Sequence, residues 1–279
     1  MAKTNTTKVW LITGTSSGFG RNLAEEVLKK GDRVVVTARK PETVKDLEKK
    51  YPGQAIAVRL DVTKPAQIKA AVQKAVATFK RIDVLVNNAG YGLMGAIEDV
   101  TDAEVKRNYD TNVFGLMHMC QAVLPVMRKQ KSGHILNVSS VVGQMSFPMI
   151  GIYSSTKHAV EGISEALAKE IAPLGIKLTI IEPGYFRTDF GGRSIQRTKA
   201  SKPYKEIDKQ MQEAFKNMDA APTAGDPRKG ALVMIEAVEA PEPPLRLPLG
   251  EDAMGMIREK IDSQRKELDR WQKVSAATV

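Results

Sequence analysis

Cysteine is nearly missing from this chain: Cys120 is alone among 279 residues. No disulfide can form within one copy, so the fold must stand on its apolar core, as a reduced protein does. Histidine is scarce as well. His118, His134 and His158 have none of the spacing of a metal site, and no bound metal is expected. No apolar run approaches the ~20 residues of a membrane span. The opening M-A-K-T-N-T-T-K has no apolar stretch of the signal-peptide kind. These absences lead to the expectation of a cytoplasmic protein without a membrane partner. What is present is ordinary for a globular protein, 42% hydrophobic and 27% charged residues, which excludes global disorder.

The formal charge is +10. The basic residues are spread along the chain among acids, and no Lys/Arg block marks a nucleic-acid tail. No nucleic-acid partner is expected; a phosphorylated cofactor would suit the bias.

Short apolar runs at 9–12, 33–37, 55–60, 82–86, 135–138 and 178–181 read as strands covered on both faces. Helical spacing lies between them, as in Ile68, Ala71, Val72, Ala75, Phe79 and in Val160, Ile163, Leu167, Ile171. Repeated strand–helix–strand units predict an α/β protein, a Rossmann-type doubly wound parallel sheet of about seven strands with helices on both faces. The seventh strand falls in the proline-rich 241–250. No linker or repeat divides 1–279, so one domain is expected. The polar stretch 184–224, with Gly191-Gly192 and many cations, is either a pair of short helices forming a substrate lid or a floppy insertion. A charged terminal helix is expected at 251–273.

The first strand runs straight into Thr13-Gly14-Thr15-Ser16-Ser17-Gly18-Phe19-Gly20. A strand, a glycine turn and a helix start make a pyrophosphate site: backbone approaches closely and free N–H groups face the ligand. The spacing is G-x-x-x-G-x-G rather than G-x-G-x-x-G. A tight turn without a ligand would carry the same glycines. After the second strand an NAD-binding fold places an acid; here stand Ala38-Arg39-Lys40. An arginine fork suits a phosphate, which predicts NADP(H). Asp61-Val62 ends the third strand, where Asp61 either meets the adenine edge or caps the next helix. Asn87-Asn88-Ala89-Gly90 ends the fourth, where small and amide residues suit a ligand crevice.

Ser140 ends the fifth strand, and Tyr153 and Lys157 follow at i and i+4 of a helix. An ammonium beside a phenol favours the phenolate, as acid–base work near neutral pH requires. Ser140 would hydrogen-bond a carbonyl oxygen as its charge grows.

Taken together, Thr13–Gly20, Asn87–Gly90, Asn112 in T-N-V-F-G, Ser140, Tyr153 with Lys157, and Pro183-Gly184 resemble the short-chain dehydrogenase/reductase superfamily, compact single-domain branch. The Ala38-Arg39 pair and N-N-A-G-Y-G look most like the bacterial relatives of hydroxysteroid and retinol dehydrogenases. The resemblance covers roughly residues 8–190; beyond that only the order of elements matches. It implies that Tyr153 protonates the carbonyl oxygen, that Lys157 tunes Tyr153 and holds the nicotinamide ribose, and that Asn112 anchors a proton-relaying water. It also implies that Thr188 meets the carboxamide and that the chain forms a homodimer or homotetramer. Glu182, before Pro183, is more polar than that strand end leads one to expect.

The loops past the strand ends offer Tyr91, Leu93, Met94, Met145, Phe147, Met149, Ile150, Tyr185, Phe186 and Phe190. This set suits an apolar carbonyl or alcohol substrate; several of these side chains would serve equally as core. The reading is an NADPH-dependent carbonyl reductase, reversible as an alcohol dehydrogenase. The alternatives are an NAD-dependent alcohol dehydrogenase, disfavoured by Arg39, and a non-catalytic NADP(H)-sensing protein, disfavoured by the retained Tyr153 and Lys157.

Overall fold

The structure is a computed structural model that describes residues 7–188, 194–220 and 224–278. Its strands are β1 (Val9–Ile12), β2 (Arg33–Ala38), β3 (Ala55–Arg59), β4 (Val84–Asn87), β5 (Gly92–Met94), β6 (Gly133–Val138), β7 (Ile176–Pro183), β8 (Ile195–Arg197) and β9 (Arg246–Leu249). Its α-helices are α1 (Gly18–Lys29), α2 (Lys45–Lys50), α3 (Pro65–Phe79), α4 (Asp102–Tyr109), α5 (Leu116–Gln130), α6 (Gly151–Ile171), α7 (Lys205–Ala220), α8 (Pro227–Glu239) and α9 (Glu251–Ala276).

Seven strands form one sheet in the order β3-β2-β1-β4-β6-β7-β9, with every neighbour parallel. Strand alternation divides the side chains between two cores. Val9, Leu11, Val35 and Leu85 face α3, α5 and α6, where Ile68, Phe79, Met119, Cys120 and Val160 are buried. Trp10, Ile12, Val34 and Val36 face α1, α2 and α8, with Leu23, Val27, Leu47 and Met234. Strands covered on both faces explain why the runs are almost wholly apolar. One polar atom in them is matched: Trp10 Nε1 donates to Asp32 Oδ2 at 3.0 Å. The strand order reverses between β1 and β4, and a crevice opens at their carboxyl ends, the usual ligand position in such sheets.

Where it is described, the stretch 184–224 holds a short strand, a 3₁₀ turn at Lys202–Tyr204 and one α-helix. Residues 195–197 pair in parallel with Gly92–Met94, and the single helix α7 follows. That helix has an apolar face, and Ile207, Met211 and Phe215 lie on a third core formed by Met94, Val141, Val142, Met149, Ile150, Tyr153 and Ala253. The burial of that face organises the segment. Gly191, Gly192, Phe190 and Arg193 lie outside the described residues. Pro41 opens a 3₁₀ turn, Pro41–Val44, ahead of α2. Among the described residues no helix is long and apolar enough to cross a membrane.

Candidate active site

One cleft runs along the carboxyl ends of the strands. It is lined at one end by Gly14, Ser16, Ser17, Gly18, Phe19 and Arg39, and in the middle by Asp61, Val62, Asn88, Ala89 and Gly90. At the other end lie Ser140, Tyr153, Lys157, Pro183, Gly184 and Thr188.

The glycine turn is built for close approach. Gly14 and Gly18 have φ of 71° and 56°, a region that side chains strain to adopt. Helix α1 starts at Ser17 without a side-chain cap among the described residues and without an acid in its first turn. Its N–H groups and positive dipole end are left for an anion. Gly20 does not line the cleft. It packs inward, where an added Cβ would collide with Gly14 O and Asn88 Nδ2. Neither atom can yield, since one is backbone and the other is bonded: Asn88 Nδ2 donates to Thr13 O at 2.9 Å and Gly14 O at 3.0 Å. Gly20→Ala is therefore expected to cost about 1–3 kcal/mol, read as a lower urea midpoint; an unchanged midpoint would contradict this packing. Thr13 completes the clamp. Its Oγ1 donates to Val86 O and accepts from Asn88 N and Ala89 N, tying β1 to β4 where the sheet order reverses.

Of the two cations after β2, Arg39 lines the cleft and Lys40 does not. Asp61 is not a helix cap. Its Oδ1 accepts from Thr63 N at 2.9 Å and Thr63 Oγ1 at 2.7 Å, while α3 starts beyond Lys64. Burial pushes the Asp61 carboxyl up, but the Thr63 hydrogen bonds and the Arg39 charge outweigh it and hold it below the usual range.

Tyr153 and Lys157 share a face of α6, and Lys157 Nζ lies 5.7 Å from the Tyr153 ring centroid. Both are buried. Burial pushes the Tyr153 phenol well up, against a hydrogen bond with Ser140 that lowers it. Burial wins here because removing a phenolate from water costs more than the Ser140 hydrogen bond returns. Lys157 Nζ instead donates to Val138 O at 2.8 Å. Burial pulls its ammonium down to about 8, and the Glu161 charge draws it back up. Ser140 Oγ donates to Pro183 O at 3.4 Å and accepts from Val142 N.

Asn112 lies in a π-helical turn, Asp110–Gly115, a feature frequent at functional sites. Its side chain is committed to protein. Nδ2 donates to Tyr91 O and Thr156 Oγ1, and Oδ1 accepts from Tyr91 N. The amide thereby joins the loop after β4 to α6. Helix α9 also reaches the site: Asp252 Oδ2 accepts from Tyr185 N at 2.7 Å and presses on Gly184.

Sequence reasoning did not single out Ser194 and Gln196, which also line the cleft. Phe186 stacks on Phe19 at 4.7 Å, a pairing of residues far apart in the chain that no local pattern announces. Of the loop side chains expected to meet substrate, Tyr91, Tyr185 and Phe186 line the cleft. Leu93, Met94, Met149 and Ile150 are buried, the last three within the third core. Phe147 is partly exposed, at 39%.

The comparisons with known proteins agree with this arrangement. The family model for short chain dehydrogenases matches residues 8–199. Oxidoreductase BOA17 of Botryotinia fuckeliana is 38% identical over 98% of this chain and 99% of its own. A short-chain dehydrogenase from Streptomyces avermitilis superposes with a TM-score of 0.92 at 42% identity, covering 99% of both chains. A short chain dehydrogenase/reductase from Burkholderia phymatum, in complex with NAD, superposes with a TM-score of 0.79 at 26% identity, covering 92% of this chain and 95% of that one. The chain is an oxidoreductase that belongs to the short-chain dehydrogenase family.

Proposed function

We propose that this protein is an NADPH-dependent carbonyl reductase, reversible as a secondary alcohol dehydrogenase. The observation that carries the reading is the layout of one cleft: an uncapped helix start at one end, a buried phenol with its lysine and serine at the other. The residues fit a dinucleotide. Gly14, Ser16, Ser17, Gly18 and Phe19 would hold the pyrophosphate, and Gly20 keeps that turn tight. Asp61 and Val62 would take the adenine, and Asn88, Ala89 and Gly90 the ribose side. Lys157, Pro183, Gly184 and Thr188 would hold the nicotinamide end.

Arg39 supports NADPH over NADH. The Burkholderia phymatum relative holds NAD, so the choice rests on this side chain and not on the fold. A bound nicotinamide supplies a hydride to a carbonyl carbon. Ser140 would orient the carbonyl oxygen, and Tyr153, kept neutral by burial, would give that oxygen its proton. Lys157 would hold its positive charge beside the developing alkoxide. Asn112 would act through position, fixing Tyr91 and the backbone around Gly90. In the oxidation direction the phenolate form of Tyr153 would take the alcohol's proton, so that direction calls for Tyr153 to be deprotonated first.

The third core flanks Tyr153 with Val141, Val142, Met149 and Ile150, and Met145, Met211 and Met256 pack on it. Flexible thioethers favour bulky apolar substrates of variable shape. The exposed Phe114 at the head of α5 supports self-association along that helix, as a homodimer or homotetramer. The deciding experiment measures oxidation of NADPH and NADH with aliphatic, aryl, steroid and keto-ester carbonyls. Turnover of apolar ketones with NADPH at least tenfold ahead of NADH is expected. Absence of turnover across the panel, or a preference for NADH, would overturn the reading.

A further inference from the structure

Behind the catalytic wall lies a group of ionisable side chains that the proposed chemistry leaves unused. Glu161 follows Lys157 by one turn of α6, so the two share a face. Glu161 is 6% exposed, and Glu182, near the end of β7, is 1% exposed. Two carboxylates in so dry a place cannot both ionise without compensation. The neighbouring elements supply little. Arg246 of β9 places Nε 3.3 Å from Glu161 Oε2 and 3.7 Å from Glu182 Oε1. Its other arm is spent on Glu165 at 2.8 Å. From the turn after β6, Gln144 Nε2 donates to Glu182 Oε1 at 2.8 Å. Gly143 lies above, where an added Cβ would come 3.1 Å from Glu161 Oε1. At the end of β6 the Ser139 hydroxyl, like Glu161 Oε1, is buried without a hydrogen-bond partner among the described residues. Asp252, from α9, is turned to Gly184 and Tyr185.

The charges decide the outcome. Arg246 can balance one carboxylate of the pair, and Lys157 stands on the same helix face as Glu161. We propose that Glu161 and Glu182 share one proton, carried by Glu182, and that the charge left on Glu161 is the counter-ion that keeps Lys157 an ammonium. Glu161 is then a positioning residue that acts through Lys157, and Glu182 is its proton reservoir. Two directions agree with this geometry. Burial and the Glu161 charge raise Glu182 to about 7. Burial also raises Glu161, against its hydrogen bonds and the Arg246 charge. The polar residue before Pro183 thereby acquires a purpose.

The kinetic part of this inference rests on the reductase reading; the spectroscopic and stability parts do not. Infrared titration of the wild-type protein should show a protonated carboxyl band at about pH 6 that fades as pH rises through neutrality. Glu182→Gln should abolish that band. Its absence at pH 6 in the wild type, or its persistence in E182Q, would overturn the shared proton. Stability should follow. A carboxyl raised on folding binds its proton more tightly in the folded state, so its contribution is full below its unfolded value and is lost as pH rises through about 7. The thermal midpoint of E182Q should lack that decline; an unchanged decline counts against the pair.

For kcat/KM in ketone reduction, Glu161→Gln should move the alkaline limb down by about one pH unit. E182Q leaves Glu161 ionised throughout and should leave that limb within a few tenths of a pH unit of its wild-type position, a far smaller move than in E161Q. A purely structural role would lower activity in both variants without moving either limb, and that result would refute the counter-ion role. If no carbonyl is reduced at all, the reductase reading fails, while the infrared and thermal results still decide whether the proton is shared.

Discussion

Tyr153→Phe is expected to lower kcat for ketone reduction by about 10²- to 10⁴-fold, the range of a lost general acid, while NADPH still binds. The ring is buried in the third core beside Val141, Val142, Met149 and Ile150. Phenylalanine fills the same space, so packing stays intact and the loss isolates the proton. The hydroxyl also bonds Ser140, whose Oγ in turn donates to Pro183 O. Burial holds Tyr153 in its acid form, so the reduction should not fail at high pH through Tyr153. It should fail as Lys157 loses its proton near about 8, and activity should fall as pH rises through that value. Steady-state kinetics with fluorescence titration of NADPH separates the two effects. Turnover in Y153F within tenfold of wild type would remove Tyr153 from the chemistry.

Arg39→Asp should raise the KM for NADPH by about a hundredfold, a loss of about 2.8 kcal/mol at 1.4 kcal/mol per factor of ten. Two terms act together. The bidentate donor for a phosphate disappears, and a second negative charge enters beside Asp61, whose carboxyl already feels Arg39. The KM for NADH should stay level or fall, since an acid at this strand end suits an unphosphorylated ribose. Arg39 is exposed, so the thermal midpoint should change little. Unaltered NADPH kinetics would show that Arg39 is only a surface cation.

The parts of the fold that were readable share one property: they depend on neighbours in the chain. Runs such as Val34-Val35-Val36 announce strands because both faces are covered. The glycine turn announces itself because β1 leads directly into α1. Tyr153 and Lys157 fall on one face by helical spacing alone. Where sequence reading erred or left alternatives open, the deciding contact came from afar. The segment 184–224 left two readings open, a helical lid or a floppy insertion, because its partners, Gly92–Met94 and the third core, are remote in sequence. Gly20 was read as facing the ligand, yet its constraint is Asn88, drawn in from β4. The side-chain amide of Asn112 meets Tyr91 and Thr156, partners that no local spacing announces.

Glu182 shows the division most sharply. By sequence it was an oddity at a strand end. The tertiary structure placed Glu161, Arg246 and Gln144 around it from three other elements. The chain order alone determined the alternation of strands and helices, the position of the glycine turn and the pairing of phenol with ammonium, since each is fixed by local spacing. Only the folded molecule decided how those groups ionise, because an ionisation constant depends on burial and on charges brought close across the sheet.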